Sequence, residues 1–125
     1  MKAYKINAVD RKVETIEINS WRDISPAIGG ECESFEAPVT LENNDTFYVD
    51  EEALYHSCEG GWKLENFAFP ILGNAVIQGT NDEGESIEPL STIEEIEAKI
   101  IWVSKEECEE HRNRTLSRGP QIYFN

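Results

Sequence analysis

Between Lys2 and Val9 the chain alternates, with Tyr4, Ile6 and Ala8 apolar and Ala3, Lys5 and Asn7 between them. That period marks a half-buried strand. Asp10-Arg11 turns the chain, and Lys12 to Ile18 returns as the second strand of a hairpin. Ser20 opens a short helix with Asp23 in the capping-box place and Trp21, Ile24 and Ile28 on one face. Pro26 predicts either an interruption or a restart with Ser25 as cap, and Gly29-Gly30 ends the element. Glu31 to Leu41 reads as a third strand with Phe35, Ala37, Val39 and Leu41 on one face, and Pro38 assigns it to an edge or a bulge. Asn43-Asn44-Asp45 turns into a fourth strand, Thr46 to Val49.

Residues 53–66 carry little pattern. Glu59-Gly60-Gly61 reads as a flexible break, with Trp62 and Leu64 packing inward. The short apolar run Asn74 to Gln78, bounded by Gly73 and Gly79, predicts the buried central strand around which the rest is layered. After it, Gly79 to Ser86 forms a polar, acidic turn. Ser91 or Thr92 caps a second helix, Ser91 with Glu94 fitting a capping box, and Ile93, Ile96 and Ile100 share its face. A strand follows at residues 100–103. Ser104 with Glu107 opens a third helix to about Arg114, and Gly119-Pro120 breaks the tail before Ile122, Tyr123 and Phe124. Hairpins and capped helices without repeated βαβ units predict an α+β fold: a mainly antiparallel sheet of about five or six strands with two or three short helices.

At 125 residues the chain makes one domain, a body over 1–104 and a C-terminal helix and tail over 105–125. No apolar run is long enough to span a bilayer, and the polar N-terminus reads as a strand rather than a signal peptide, so the expected compartment is the cytoplasm. Cys32, Cys58 and Cys108 have no framework spacing and read as reduced thiols. The net charge is -14, and it is uneven: residues 1–30 carry +1, residues 31–110 carry -18, and residues 111–125 carry +3. Such a body repels phosphates, which argues against direct nucleic-acid binding. It favours solubility or a basic protein partner.

Met1-Lys2-Ala3-Tyr4 before a hairpin, Ile28-Gly29 after a short helix, Tyr48-Val49-Asp50-Glu51-Glu52, the run from Pro70 to Ser86, and Ser91-Thr92-Ile93-Glu94-Glu95-Ile96 occur in order over residues 1–104. Together they resemble a family of small acidic proteins of uncharacterised function found in phages, plasmids and bacteria. The most specific part is the Gly-Thr-Asn-Asp-Glu-Gly turn after the central strand. The resemblance implies a mobile-element setting, in which small proteins block host defences. It brings no catalytic residues and does not extend over 105–125.

Four constellations offer chemistry. His56, Cys58, Cys108 and His111 contain the residue types of a tetrahedral zinc site, at a spacing of no standard module; the alternative is core cysteines and surface histidines, and no metal or other cofactor is expected. Asn81, Asp82, Glu83 and Glu85 offer oxygens to a hard cation, and Gly79 and Gly84 offer amides to an anion, against a plain structural turn. Cys58 with a histidine is a conceivable nucleophile without local support. Trp62, Phe67 and Phe69 offer stacking faces, Thr80 and Asn81 polar contacts, and Arg112, Arg114 and Arg118 phosphate-binding forks, for a small nucleotide-like ligand held between protomers. The alternative is that the aromatics are core and the arginines offset the acidic body. The basic, then apolar, tail suits docking on a second copy, so a homo-oligomer is expected. The function expected is therefore binding without catalysis, in interference with host defence. It works either by sequestering a nucleotide-derived signal or by mimicking nucleic acid in the basic groove of a host nuclease or polymerase.

Overall fold

The computed structural model describes residues 1–122, with side chains through residue 117. β1 (Lys2–Asn7) and β2 (Lys12–Glu17) form the expected hairpin, with Ile6 opposite Val13. Ser20 and Asp23 complete the capping box, Asp23 Oδ2 accepting from the Ser20 amide at 3.2 Å. This cap starts a 3₁₀ turn, Trp21–Asp23, that runs directly into α1 (Ile24–Ile28). The restart at Pro26 does not occur. Pro26 lies in the first turn of α1, where amides have no acceptor within the helix and its missing N–H is not needed. Gly29 and Gly30, at φ +81° and +61°, then turn the chain away.

β3 (Phe35–Thr40) pairs with β4 (Thr46–Asp50), and the register shifts between Glu36 and Val39. Pro38 falls inside that bulge on an edge strand, where no ladder bond is asked of it. The bulge overturns the expectation of one apolar face. Phe35 meets Tyr48 edge-on at 5.4 Å on one side of the sheet, whereas Val39 and Leu41 pack on the other and Ala37 is exposed. An extra residue shifts the pleat by one, which sends later side chains to the opposite face.

Residues 53–66 hold a 3₁₀ turn at Ala53–Tyr55 and β5 (Gly61–Lys63). β5 lies between β6 (Ile71–Leu72) and a later strand, Ile101–Val103, in a second, three-stranded sheet. Gly60 and Gly61 are buried close-packing positions rather than a flexible break. A Cβ on Gly60 would sit 2.7 Å from the Ala8 carbonyl oxygen, and one on Gly61 would sit 2.7 Å from Cys108 Sγ.

β7 (Ala75–Thr80) occupies the centre of the main sheet, whose order is β2-β1-β7-β4-β3, and β8 (Ser86–Ile87) pairs with its end. Residues 75–79 are buried without interruption because both faces of the sheet are covered. On one face Tyr4, Ile6, Phe47, Ala75 and Ile77 pack with Trp62 of the small sheet and with Ile96. On the other, Ala3 and Val76 pack with Ile24 and Ile28 of α1. A continuous apolar run is what a strand buried on both sides requires.

α2 (Ile93–Lys99) is capped by Thr92 and Glu95, not by Ser91 and Glu94. Ser91 is buried one residue earlier and is otherwise engaged: its carbonyl accepts from the Tyr4 hydroxyl and its Oγ from Asn43. β9 (Ile101–Val103) then leads into α3 (Lys105–Ile122), where Ser104 Oγ accepts from the Glu107 amide as expected. α3 runs past Arg114 and through Gly119-Pro120, so the expected break is absent. The architecture is α+β, mostly antiparallel sheet, with three α-helices among the described residues.

Candidate functional site

A cavity of about 210 Å³ opens where the ends of β1 and α1 meet the chain between β4 and β5; Gly30, Asp50, His56, Cys58, Gly60 and Asn74 are among its walls. Asn74 fixes the meeting point, accepting from the Ala8 amide at 2.8 Å and donating to the Ile28 carbonyl at 2.9 Å. His56 Nδ1 lies 2.6 Å from Asp50 Oδ2, both side chains being largely buried. That hydrogen bond raises the imidazole pKa, against the opposing effect of burial, with the charges of Asp50, Glu31 and Glu52 adding to the rise. The His56 carbonyl accepts from the Arg112 guanidinium, which ties α3 to this segment. Beside it, Glu31 Oε1 accepts from the Ser57 amide at 3.1 Å, and the hydrogen bonds from Ser57 hold the Glu31 carboxyl below its usual range.

Cys58, on the cavity wall, and Cys108, behind it, lie together in an apolar cluster with Leu72 and Val103. The Cys58 thiol donates to the Gly60 carbonyl at 2.9 Å. The neighbouring Cys108 thiol pulls Cys58 down to about 6; burial opposes this, and the backbone of Gly60 and Gly73 and the charge of Arg112 support it. Cys108 is pushed up by the same neighbour and by burial. Cys32 stands apart, half-buried near Ser34, its thiol raised chiefly by burial.

The four zinc-ligand candidates do not converge. Cys58 and Cys108 come together, but His56 is held by Asp50, and His111 stacks on Phe69 with ring centroids 5.2 Å apart. Among the described residues, no group of three or more His, Cys, Asp or Glu side chains is placed to hold a metal ion. His111 is lowered by burial and by the Arg114 charge. The acidic turn is organised internally. Asn81 Oδ1 accepts from the Glu83 and Glu85 amides at 3.0 and 2.9 Å, and Gly84 supplies φ +82°. Of the two glycines expected to offer amides to an anion, Gly84 donates to the Asn81 carbonyl at 3.0 Å and Gly79 lies in the β7–β8 pairing opposite Ile87.

The residues expected to stack and clamp a nucleotide are dispersed. Trp62 is fully enclosed in the main core between Phe47 and Phe67, so no ring face is open. Phe67 is partly buried against that core, while Phe69 is 57% exposed beside His111. Thr80 lies at the end of β7 near Thr46, and Asn81 serves the turn. Arg112 reaches inward to His56, Arg114 pairs with Glu110 on the outer face of α3, and the side chain of Arg118 lies outside the described residues. Tyr123 and Phe124 of the expected docking tail also lie outside them. Enclosure of an aromatic by two others in the core is decided by packing, which sequence spacing does not report.

The acidic residues are displayed differently. Of the 21 in residues 31–110, only Asp45 and Asp50 are drawn inward, and the other nineteen are exposed. Asp45 is fully buried and accepts from the Leu90 and Ser91 amides, both at 2.9 Å. Neither this buried carboxylate nor the Asp50–His56 pair is apparent from sequence. The one local signal is that Asp50 and His56 flank a short turn. Among the described residues, no helix is long and apolar enough to cross a membrane. Comparison with family models, with curated proteins and with solved structures gave no match.

Proposed function

We propose that this protein acts by binding, presenting its carboxylates to a basic surface of a protein partner as a stand-in for nucleic acid. The supporting observation is the outward display of nineteen carboxylates over residues 31–110, where only Asp45 and Asp50 are drawn inward. Exposed charges on α2 (Glu94, Glu97) and early α3 (Glu106, Glu109) repeat at the three- to four-residue spacing that places neighbours on one helical face. A surface of one sign steers a basic partner and repels phosphates. In the mobile-element setting that the sequence resemblance implies, the partner is a host nuclease or polymerase whose groove ordinarily holds DNA or RNA. Sequestration of a small nucleotide is the weaker reading, because the residues it would use are divided between the core, the acidic turn and α3.

The test is inhibition of DNA cleavage by a panel of nucleases with basic clefts. Inhibition competitive with DNA and weakening steeply between about 50 and 200 mM salt is expected, in keeping with displaced counterions. A variant carrying Glu94→Gln, Glu97→Gln, Glu106→Gln and Glu109→Gln should lose inhibition while keeping its fold. Absence of inhibition at low salt across the panel, or inhibition indifferent to salt, overturns the reading.

A further inference from the structure

We infer that Cys58 and Cys108 form a redox-active dithiol, in which Cys58 at the cavity wall is the attacking sulfur and Cys108 behind it resolves the product into a disulfide. This is independent of the binding role proposed above. Three observations carry it. The two thiols come from distant parts of the chain, one before β5 and one on α3, and are packed into one small cluster with Leu72 and Val103. Only Cys58 of the two lines the cavity, and Cys108 is fully enclosed. Gly61 lacks a side chain where a Cβ would stand 2.7 Å from Cys108 Sγ, and this lets α3 bring that sulfur against the small sheet.

The surroundings separate the roles of the sulfurs. The hydrogen bond with the Cys108 thiol favours a thiolate at Cys58, and the charge of Arg112, which is tied to the His56 carbonyl, adds to this. The Cys108 thiol is disfavoured as an anion by Cys58, by burial and by Glu107. A thiolate beside a neutral thiol, reachable through a small cavity, suits a small hydroperoxide as oxidant.

With hydrogen peroxide the steps balance as follows. The Cys58 thiolate attacks one peroxide oxygen, forming an S–O bond and breaking the O–O bond. The departing hydroxide takes up a proton as water, and Cys58 is left as a sulfenic acid, oxidised by two electrons. Cys108 sulfur then attacks Cys58 sulfur. The S–S bond forms, the S–O bond breaks, and the leaving hydroxide departs with the Cys108 proton as a second water. Two thiols and one peroxide thus yield one disulfide and two waters.

The experiment uses the full chain with Cys32→Ser, which removes the half-buried bystander thiol. The protein is treated with hydrogen peroxide, blocked by alkylation in denaturant and read by intact mass and non-reducing peptide mapping. A loss of 2 Da (~2, two hydrogens) with one cross-linked peptide pair containing Cys58 and Cys108 is expected. Adding Cys108→Ser should leave a Cys58 sulfenic acid trappable by dimedone. Adding Cys58→Ser should slow oxidation of Cys108 by roughly tenfold or more, since the buried thiol lacks thiolate character. The cross-link in the Cys32→Ser protein alone decides the matter if either buried variant fails to fold. Sulfinic acid at Cys58 without a cross-link, or equal oxidation of Cys108 in the Cys58→Ser protein, overturns the inference.

Discussion

Replacing Asp45 with alanine removes both acceptors that hold the chain segment entering α2 against the turn before β4. Asp45 is 0% exposed, and its two carboxylate oxygens accept separately from the Leu90 and Ser91 amides at 2.9 Å. The same segment is held by the Tyr4 hydroxyl on the Ser91 carbonyl at 2.8 Å and by Asn43 on Ser91 Oγ at 2.9 Å. Those contacts keep the amides in place when the carboxylate is gone, so they are left unpaired rather than freed to water. A buried amide without an acceptor costs about 1–3 kcal/mol. The Leu90 amide is partly exposed and belongs near the lower figure, and the Ser91 amide is buried and belongs near the upper. Together they give about 4 kcal/mol, a large share of the roughly 5–15 kcal/mol that holds a domain folded. At roughly 3–6 °C per kcal/mol for a chain of this size, the melting temperature should fall by on the order of 10 °C. Urea unfolding followed by tryptophan fluorescence reads the change, with the midpoint lowered and the slope unchanged. Asp82→Ala, in the exposed turn, is the control and should stay within about 0.5 kcal/mol of wild type. A melting temperature for Asp45→Ala within about 2 °C of wild type, or an equal fall in Asp82→Ala, refutes the reasoning.

Gly61→Ala should destabilise the protein by about 1–3 kcal/mol by overpacking, because the new methyl meets the Ile71 carbonyl and stands 2.7 Å from Cys108 Sγ; a neutral result in urea unfolding would show that α3 yields without cost. The Asp50–His56 pair raises the folded-state pKa of His56 above its ordinary value, so its stabilisation is complete below about pH 6.5 and is lost as pH rises through the raised value. The melting temperature of the wild type should therefore fall relative to His56→Gln between about pH 6 and pH 8, and parallel profiles for the two proteins would contradict that assignment.

The patterns legible in the chain were those set by neighbours in sequence. Alternation at Tyr4, Ile6 and Ala8 specifies a strand because side chains of an extended backbone alternate by geometry, but not the cover on its other face, where Ala3 is buried against Ile24 and Ile28. The apolar run Ala75-Val76-Ile77 within 74–78 specifies a strand covered on both faces, and β7 is central for that reason. Ser20 with Asp23 and Ser104 with the Glu107 amide could be read locally, since a cap satisfies amides two or three residues away. The same rule also fitted both Ser91 and Thr92. The choice fell to Thr92 only because Asp45, Asn43 and Tyr4, distant in sequence, had engaged Ser91.

What the tertiary structure decided was which chemically capable residues meet. The bulge in β3 exchanged the faces of Phe35 and Val39, and no local composition rule states where an extra residue will be inserted. Trp62 carries the chemistry of a stacking platform, but enclosure by Phe47 and Phe67 makes it core. The candidate set His56, Cys58, Cys108 and His111, carried by the loop before β5 and by α3, was divided, the thiols together and each imidazole with its own partner. The sequence by itself determined the net charge, the strand and helix periods and most caps, since each depends on residue identity and on near neighbours. Only the assembled sheets decided the cavity, the paired thiols and the inward turn of Asp45 and Asp50, because burial and approach over tens of residues are properties of packing and not of spacing.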